Sequence, residues 1–419
     1  MGGAAPGLIS LDEAWRRIAA AVTAGPACLV SRSAALGRVL AEPLVARLDH
    51  PPFDRAMMDG YAVRAADTRA APCELRIIGE SLAGHGPVLA AGNSGAARIG
   101  PGEAMIINTG AALPDGADAV VQVERTRAMG GGRVWIETAV DAGRSVAARG
   151  SIRAAGETLL AAPARIGAAQ IAALASDGVA EICVFAEPRL SAVITGDELA
   201  AIGSAIGSNQ IHDANGPALA ALARECGAPL ASLASARDDV EELRQALQQA
   251  LNADIAIVSG GMSKGTRDLA PGVLETLGVR WEFHGVDMRP GRPTAFGRGP
   301  SGQLVFGLPG NPVSCLVCFL AFVAPAIRGR VGLPPQPAWR AARLGEGGLP
   351  ALRDPRPAFI PAVIEVNAEG EATALPTDWR GSGDPFGAAA GNGFVLQPRG
   401  DAALPAGSPV RVLGLPCVG

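Results

Sequence analysis

Apolar positions follow two rhythms along this chain, and the places where one gives way to the other outline its domains. Near the start, Ser10-Leu-Asp-Glu13 precedes an apolar stretch of helical spacing. A serine followed three residues later by a glutamate is a capping box, which predicts a helix from about Leu11. From about 44 to 150 the spacing shortens to Val/Ile runs (LRIIG, AMIIN, ADAVVQVE, GRVWIE) punctuated by Gly and Pro. Such runs predict a small all-β domain. Helical spacing returns in RIGAAQIAALASDGV and stops at Gly178. The expected arrangement is a helical, linking domain built from 8–43 plus 151–186, with the β domain 44–150 inserted into it.

Beyond Arg189 strands and helices alternate. LSAVIT predicts a buried strand, NGPALAALAREC a helix with Asn215 as cap and Pro217 in its first turn, and Gly227 its end. DDVEELRQALQQAL follows as a helix, ADIAIVSGG as a strand, LAPGVLETLG as a helix, LVFGLPGN as a strand and turn, and an apolar helix runs from Pro312. This alternation predicts an α/β domain over 187–335 with a mostly parallel sheet, whose ligands bind beyond the carboxyl ends of the strands. VGLPPQPAW reads as a linker. The short segments AFIPAVIEV, GFVLQP and PVRVLGL then predict a β barrel or sandwich over 338–419. The fold class is therefore multidomain, α/β plus β, with a helical N-terminal segment.

Charge narrows the function more than composition does. The 419 residues are 48% hydrophobic and 18% charged, with a net charge of -4. That balance is ordinary for a globular chain, and it offers no basic stripe for nucleic acid. Lys264 is the one lysine among the 36 basic residues. The seven cysteines are odd in number and scattered, which suits a reducing, cytoplasmic setting. Cys315 and Cys318 have CxxC spacing but lie in an uncharged run without a second ligand pair, so core packing is expected. That run falls short of the ~20 residues a membrane span needs, and the N-terminus lacks the pattern of a signal peptide. No membrane role is expected.

Four loops of the α/β region interrupt apolar strands with polar residues. Thr195-Gly-Asp-Glu-Leu199 sets two acids after a strand, suited either to holding Mg²⁺ or to capping the next helix. Ser259-Gly-Gly-Met-Ser-Lys-Gly265, with Asp268 beyond it, offers backbone N–H groups, two hydroxyls and the Lys264 ammonium to a phosphate, or is a structural turn. Met288-Arg-Pro-Gly-Arg-Pro293 holds two arginines on a stiff segment, and guanidinium forks match oxyanions. In Gly307-Leu-Pro-Gly-Asn-Pro-Val-Ser314, Asn311 is placed to cap the next helix and Pro312 to open it. Together they predict a pocket for a phosphorylated anion with a divalent metal. Far upstream, PPFDRAMMDGYAV holds the chain's one tyrosine, Tyr61. Read alone it is a hairpin tip in which Phe53 and Met57 bury and Asp59-Gly60 turns the chain.

In this order PPFDRAMMDGYAV, NTGAALPDGADAVVQVE, TGDEL, SGGMSKGTRD, MRPGRP and FGLPGNPVS resemble the molybdopterin molybdenumtransferase family, which includes MoeA and the gephyrin E domain. The resemblance spans about 8 to 415. It implies that the α/β domain binds molybdopterin, and that the enzyme is a homodimer with a site shared between subunits. The implied reaction cleaves adenylylated molybdopterin with Mg²⁺, moves molybdenum from molybdate to the dithiolene and releases AMP. Carried over by motif, Asp59, Thr109, Glu198 and Asp268 are catalytic, and Glu198 and Asp268 hold the metal. Ser259, Gly260, Gly261, Ser263, Lys264 and Gly265 contact phosphate, as do Gly310, Asn311 and Ser314. Arg289 and Arg292 hold molybdate or phosphate where the family commonly has lysines, and Ser382 lies near the site. Tyr61 anchors its loop, and Asp59 acts across the dimer. A molybdopterin adenylyltransferase and recipient molybdoenzymes are the further partners the resemblance admits. Thr158 and Pro361 depart from an aspartate and an arginine common in the family. The competing readings are a binding or scaffold protein of this fold without catalysis, and an enzyme that adenylylates molybdopterin.

Overall fold

A computed structural model describes residues 7–91, 96–262 and 268–415. The chain divides into two compact units, one of residues 1–41, 163–167 and 181–419, the other of 42–162 and 168–180. The capping box forms as expected: the helix Leu11–Ala21 begins after Ser10, whose hydroxyl accepts the Glu13 N–H at 3.1 Å.

The first unit centres on a six-stranded sheet. Its spatial order is Leu230–Ala236, Leu190–Thr195, Ile255–Ser259, Leu304–Leu308, Ala295–Arg298 and Arg280–His284. The first four strands run parallel and the last two antiparallel. Alternate side chains bury on opposite faces. Leu190, Ala192, Ile194, Ile257 and Phe306 meet the apolar helical run from Pro312 on one side. Val193, Ala256, Val258 and Val305 meet the helices Val240–Ala250 and Ala270–Thr276 on the other. Strands covered on both faces read as unbroken apolar runs, which is why LSAVIT and IAIVS were legible. The edge strand Leu230–Ala236 is an addition to the expected elements, since its LASLASA lacks the β-branched residues that mark a strand. The antiparallel pair RWEFH and AFGR is another addition.

Around this sheet, Ala27–Ser31, Glu181–Phe185, Val39–Leu40 and Ala164–Arg165 form a four-stranded antiparallel sheet, so the segments expected to be helical carry strands as well. Trp339–Leu344, Ala372–Pro376, Ala358–Val366, Gly393–Gln397 and Pro409–Gly414 close into a barrel. The helical run Pro312–Arg330 is long and apolar enough to cross a membrane, yet 78% of its most apolar stretch is buried inside the protein. Cys315 and Cys318 are core residues, as expected, and burial pushes the Cys315 thiol up to about 12.

The second unit holds a seven-stranded sheet in which Gly60–Val63 lies between Glu103–Ile107 and Ala119–Gln122. Tyr61 and Val63 bury on one face and Ala62 on the other. PPFDRAMMDGYAV therefore enters a central strand. Gly60 makes that possible, because a Cβ there would sit 2.0 Å from the Val121 carbonyl oxygen. The expected burial of Phe53 and Met57 is not observed: both are about half exposed, at 45% and 57%. The turn before the strand presents them outward.

Asp177 follows the helix Ala168–Ser176 and is fully covered. Its carboxylate accepts the Arg47 N–H at 3.0 Å, the Leu48 N–H at 3.2 Å and a bond from His50 Nε2 at 2.9 Å. Burial pushes its pKa up, but the His50 bond and the two backbone donors outweigh it and hold the group below its ordinary 3.8. A carboxyl depressed in the folded state stabilises above its unfolded pKa and loses that contribution as pH falls through the folded one. Asp177→Ala should cost about 2 kcal/mol or more at pH 7 by orphaning these donors. Urea unfolding should show the gap to the wild type closing as pH drops below the ordinary carboxyl range; a pH-independent gap contradicts this account.

Candidate functional site

Three parallel strands end level with one another. Ile194 pairs with Ser259, and Ser259 pairs with Leu308. Connections leaving Leu190–Thr195 go to one side, to Leu230–Ala236, and then cross back to Ile255–Ser259 on the other. The crevice outside such a switch point is where open α/β sheets bind ligands. Here it is a cavity of about 880 Å³.

Backbone shape comes first. Gly260 and Gly261 both have positive φ, 97° and 58°, and a Cβ on Gly260 would lie 2.2 Å from the Thr195 carbonyl oxygen. Only glycine lets these two strand ends approach so closely. Gly310, Asn311, Glu198 and Asp268 also line the cavity. The structure thus brings together Glu198, Gly260, Gly261, Asp268, Gly310 and Asn311 from four separate segments.

A buried amide ties two of these loops. Asn215, 6% exposed, donates through Nδ2 to Ser259 Oγ at 3.0 Å and to the Gly310 carbonyl at 2.7 Å. The expected cap is therefore corrected. Asp213 accepts the Asn215 and Gly216 N–H groups at 2.9 and 3.0 Å and does the capping, while Asn215 turns inward. Ser259, fully buried, donates to the Pro309 carbonyl at 3.2 Å. Its hydroxyl holds the loop shape, and a ligand in the cavity meets the glycines beside it.

A second correction concerns Asn311. Pro312 opens the helix as expected, but the Asn311 side chain makes no cap. It donates instead to Ser382 Oγ at 3.0 Å, and the Ser382 carbonyl accepts the Val313 N–H at 3.0 Å. A loop of the barrel thus caps this helix and brings Ser382 to the cavity rim beside Gly383 and Phe386. Ser314 is buried one residue further into the helix, at 4% exposure.

The ionisable groups on the described walls are four acids and His212. Besides Glu198 and Asp268, Asp213 and Asp238 line the cavity, and Thr195 Oγ1 donates to Asp238 at 2.9 Å. Sequence reading missed both aspartates and Asn215, since single polar residues between apolar runs carry no spacing signal. Among the described residues no group of three metal-binding side chains is preassembled. The donor set of spread carboxylate oxygens fits Mg²⁺, which takes one or two carboxylates and completes its shell from water and phosphate. Arg289 and Arg292 are exposed, and the backbone between them is anchored by the Arg289 N–H bond to the Pro357 carbonyl at 2.8 Å. Neither arginine lines the cavity, although Pro293 does. Ser263, Lys264 and Gly265 lie outside the described residues.

Asp59 and Thr109 belong to the second unit. Thr109 donates both its N–H, at 2.6 Å, and its hydroxyl, at 3.0 Å, to Asp59 Oδ1. These bonds, the backbone one foremost, lower the Asp59 pKa and keep an exposed carboxylate ionised and aimed. Thr109 here orients Asp59. Pro361 is buried in a barrel strand opposite Phe394, and Thr158 pairs with Val45 in the second unit.

Residues 9–178 match the MoeA N-terminal region (domain I and II), and residues 191–329 match a probable molybdopterin binding domain. A molybdopterin molybdenumtransferase of Nostoc is 38% identical over 73% of this chain and 70% of its own. One from Staphylococcus aureus is 32% identical over 97% and 95%. The crystal structure of a molybdopterin biosynthesis MoeA protein from Pyrococcus horikoshii superposes with a TM-score of 0.81 at 28% identity, covering 97% of this chain and 99% of that one.

Gly260→Ala should abolish ligand uptake and Asn215→Ala should weaken it about tenfold, the latter by leaving Ser259 and Gly310 without their shared donor. Calorimetric titration with AMP reads both; unchanged affinity in either variant removes that residue from the site's framework.

Proposed function

The chain belongs to the molybdopterin molybdenumtransferase family, and on that premise we propose that it cleaves adenylylated molybdopterin in the 880 Å³ cavity, transfers molybdenum from molybdate to the dithiolene and releases AMP. The observation that carries this reading is the convergence of a double-glycine turn, Gly310 and the acids Glu198 and Asp268 at the level ends of three strands.

Phosphoanhydride cleavage spreads negative charge over departing oxygens. The Gly260 N–H is held by the Leu308 carbonyl at 3.2 Å, which leaves the Gly261 N–H as the donor that a phosphate can approach without meeting a side chain. Four carboxylates facing a phosphorylated ligand would repel it, and Mg²⁺, when bound by Glu198 and Asp268, would supply the charge that reconciles them. Arg289 and Arg292 offer forks for molybdate, which a guanidinium binds in two-point fashion. Asp59, fixed by Thr109, is a carboxylate acceptor that a rigid strand presents, and in this reading it serves the cavity of a second subunit in a homodimer. No protein nucleophile is required, since water or a molybdate oxygen attacks phosphorus.

Glu198→Ala and Asp59→Asn should each fold normally by circular dichroism and lose molybdate-dependent AMP release from adenylylated molybdopterin with Mg²⁺. Mixed after co-refolding, the two variants should regain activity that neither has alone, because a mixed dimer contains one intact shared site. Full activity of either variant removes that residue from the catalytic site, and a wild type without AMP release overturns the reading in favour of a scaffold; mixing without recovery overturns the shared site alone.

A further inference from the structure

A second cavity, of about 220 Å³, lies on the first unit away from the strand ends. Three guanidiniums reach it from three elements: Arg165 from the strand Ala164–Arg165, Arg328 from the helical turn Ala324–Arg330, and Arg340 from the barrel strand Trp339–Leu344. Their neighbours leave the charge in place. Arg165 Nη1 donates to the Gly37 carbonyl at 2.7 Å and Arg328 Nε to the Pro334 carbonyl at 3.3 Å, both uncharged acceptors. No ion pair within 4.0 Å is found for any of the three among the described residues. Burial, and then the charge of Arg165, hold the Arg328 guanidinium below its ordinary value, as expected where positive charges crowd without a counter-ion.

The opposing charges are smaller. Glu225 is the one acid on the cavity wall, and it ends the helix Asn215–Glu225, whose carboxyl end adds roughly half a negative charge. Three positive charges against these leave an excess. The remaining wall is apolar, with Leu320 and Leu413 facing the space. A cavity of about 150 Å³ holds benzene, so this one has room for a six-membered ring with a charged group attached.

We propose that this cavity is a binding site for a small organic oxyanion, a ring-sized apolar body carrying a phosphate or carboxylate that the three arginines grip. Nothing in the proposed molybdenum transfer uses it.

Phenyl phosphate is the probe, with inorganic phosphate for the head alone and benzyl alcohol for the body alone, each titrated calorimetrically into the full chain. Phenyl phosphate should bind about tenfold tighter than inorganic phosphate, and Arg328→Gln and Arg340→Gln should each weaken it about fivefold or more. Glu225→Gln should strengthen it. Arg340 is exposed, so its variant remains informative should Arg328→Gln fail to fold. Gly260→Ala separates the two cavities, since Gly260 lines the strand-end cavity and not this one. Loss of binding in that variant with none in Arg328→Gln or Arg340→Gln would place the probe at the strand ends and overturn the proposal. Equal binding of inorganic and phenyl phosphate overturns the apolar component, and absence of binding overturns the site.

Discussion

The Asn215 amide is the constraint on which the candidate site rests. Its two donors hold the end of one strand and the loop after another in a single geometry, from a side chain only 6% exposed. Leaving buried acceptors unmet costs more than forming the bonds gains, so the arrangement is effectively all or none. The consequence is that the double-glycine turn and Gly310 are one rigid body. The cavity walls inherit their spacing from a side chain that itself lines the cavity.

Rigidity on that side contrasts with the supply of charge. The described walls carry four carboxylates and His212 among apolar residues, and the arginines that the sequence marked as oxyanion partners stand outside them on a separately anchored loop. Under the proposed function such a cavity would favour ligands that arrive with a cation, since an anion alone meets the field of four acids. Under the proposed function, acidic walls beside a glycine N–H are compatible with a phosphate site because Mg²⁺ would be counted with the ligand.

Much of this was legible in the sequence, for identifiable reasons. LSAVIT, IAIVS and LVFGL are sheathed by helices on both faces and so advertise themselves as apolar runs. Ser10 and Glu13 marked a helix start because capping is a local interaction. The same logic misled at Asn215 and Asn311: both occupy positions where a cap is the local expectation, and both spend their amides on partners 44 to 95 residues away. Phe53 and Met57 failed in another manner, since an apolar residue's wish to bury does not reveal that a turn will hold it outward. Leu230–Ala236 was invisible because an edge strand of leucine, alanine and serine carries neither a period of two nor β-branching. Local chemistry was readable, and long-range polar pairing was not.

The closed barrel has a consequence of its own. A sheet that pairs with itself all the way round offers no row of unmatched N–H and carbonyl groups, so no extended segment from another protein can add to it as a further strand. Recognition through that part of the molecule must be written in side chains. The open six-stranded sheet differs, because its outermost strands, Leu230–Ala236 and Arg280–His284, each present one unpaired backbone edge. Backbone-templated association, whether adaptive or pathological, is therefore left to the open sheets, the four- and seven-stranded ones included, and the barrel is free to vary its surface without inviting it.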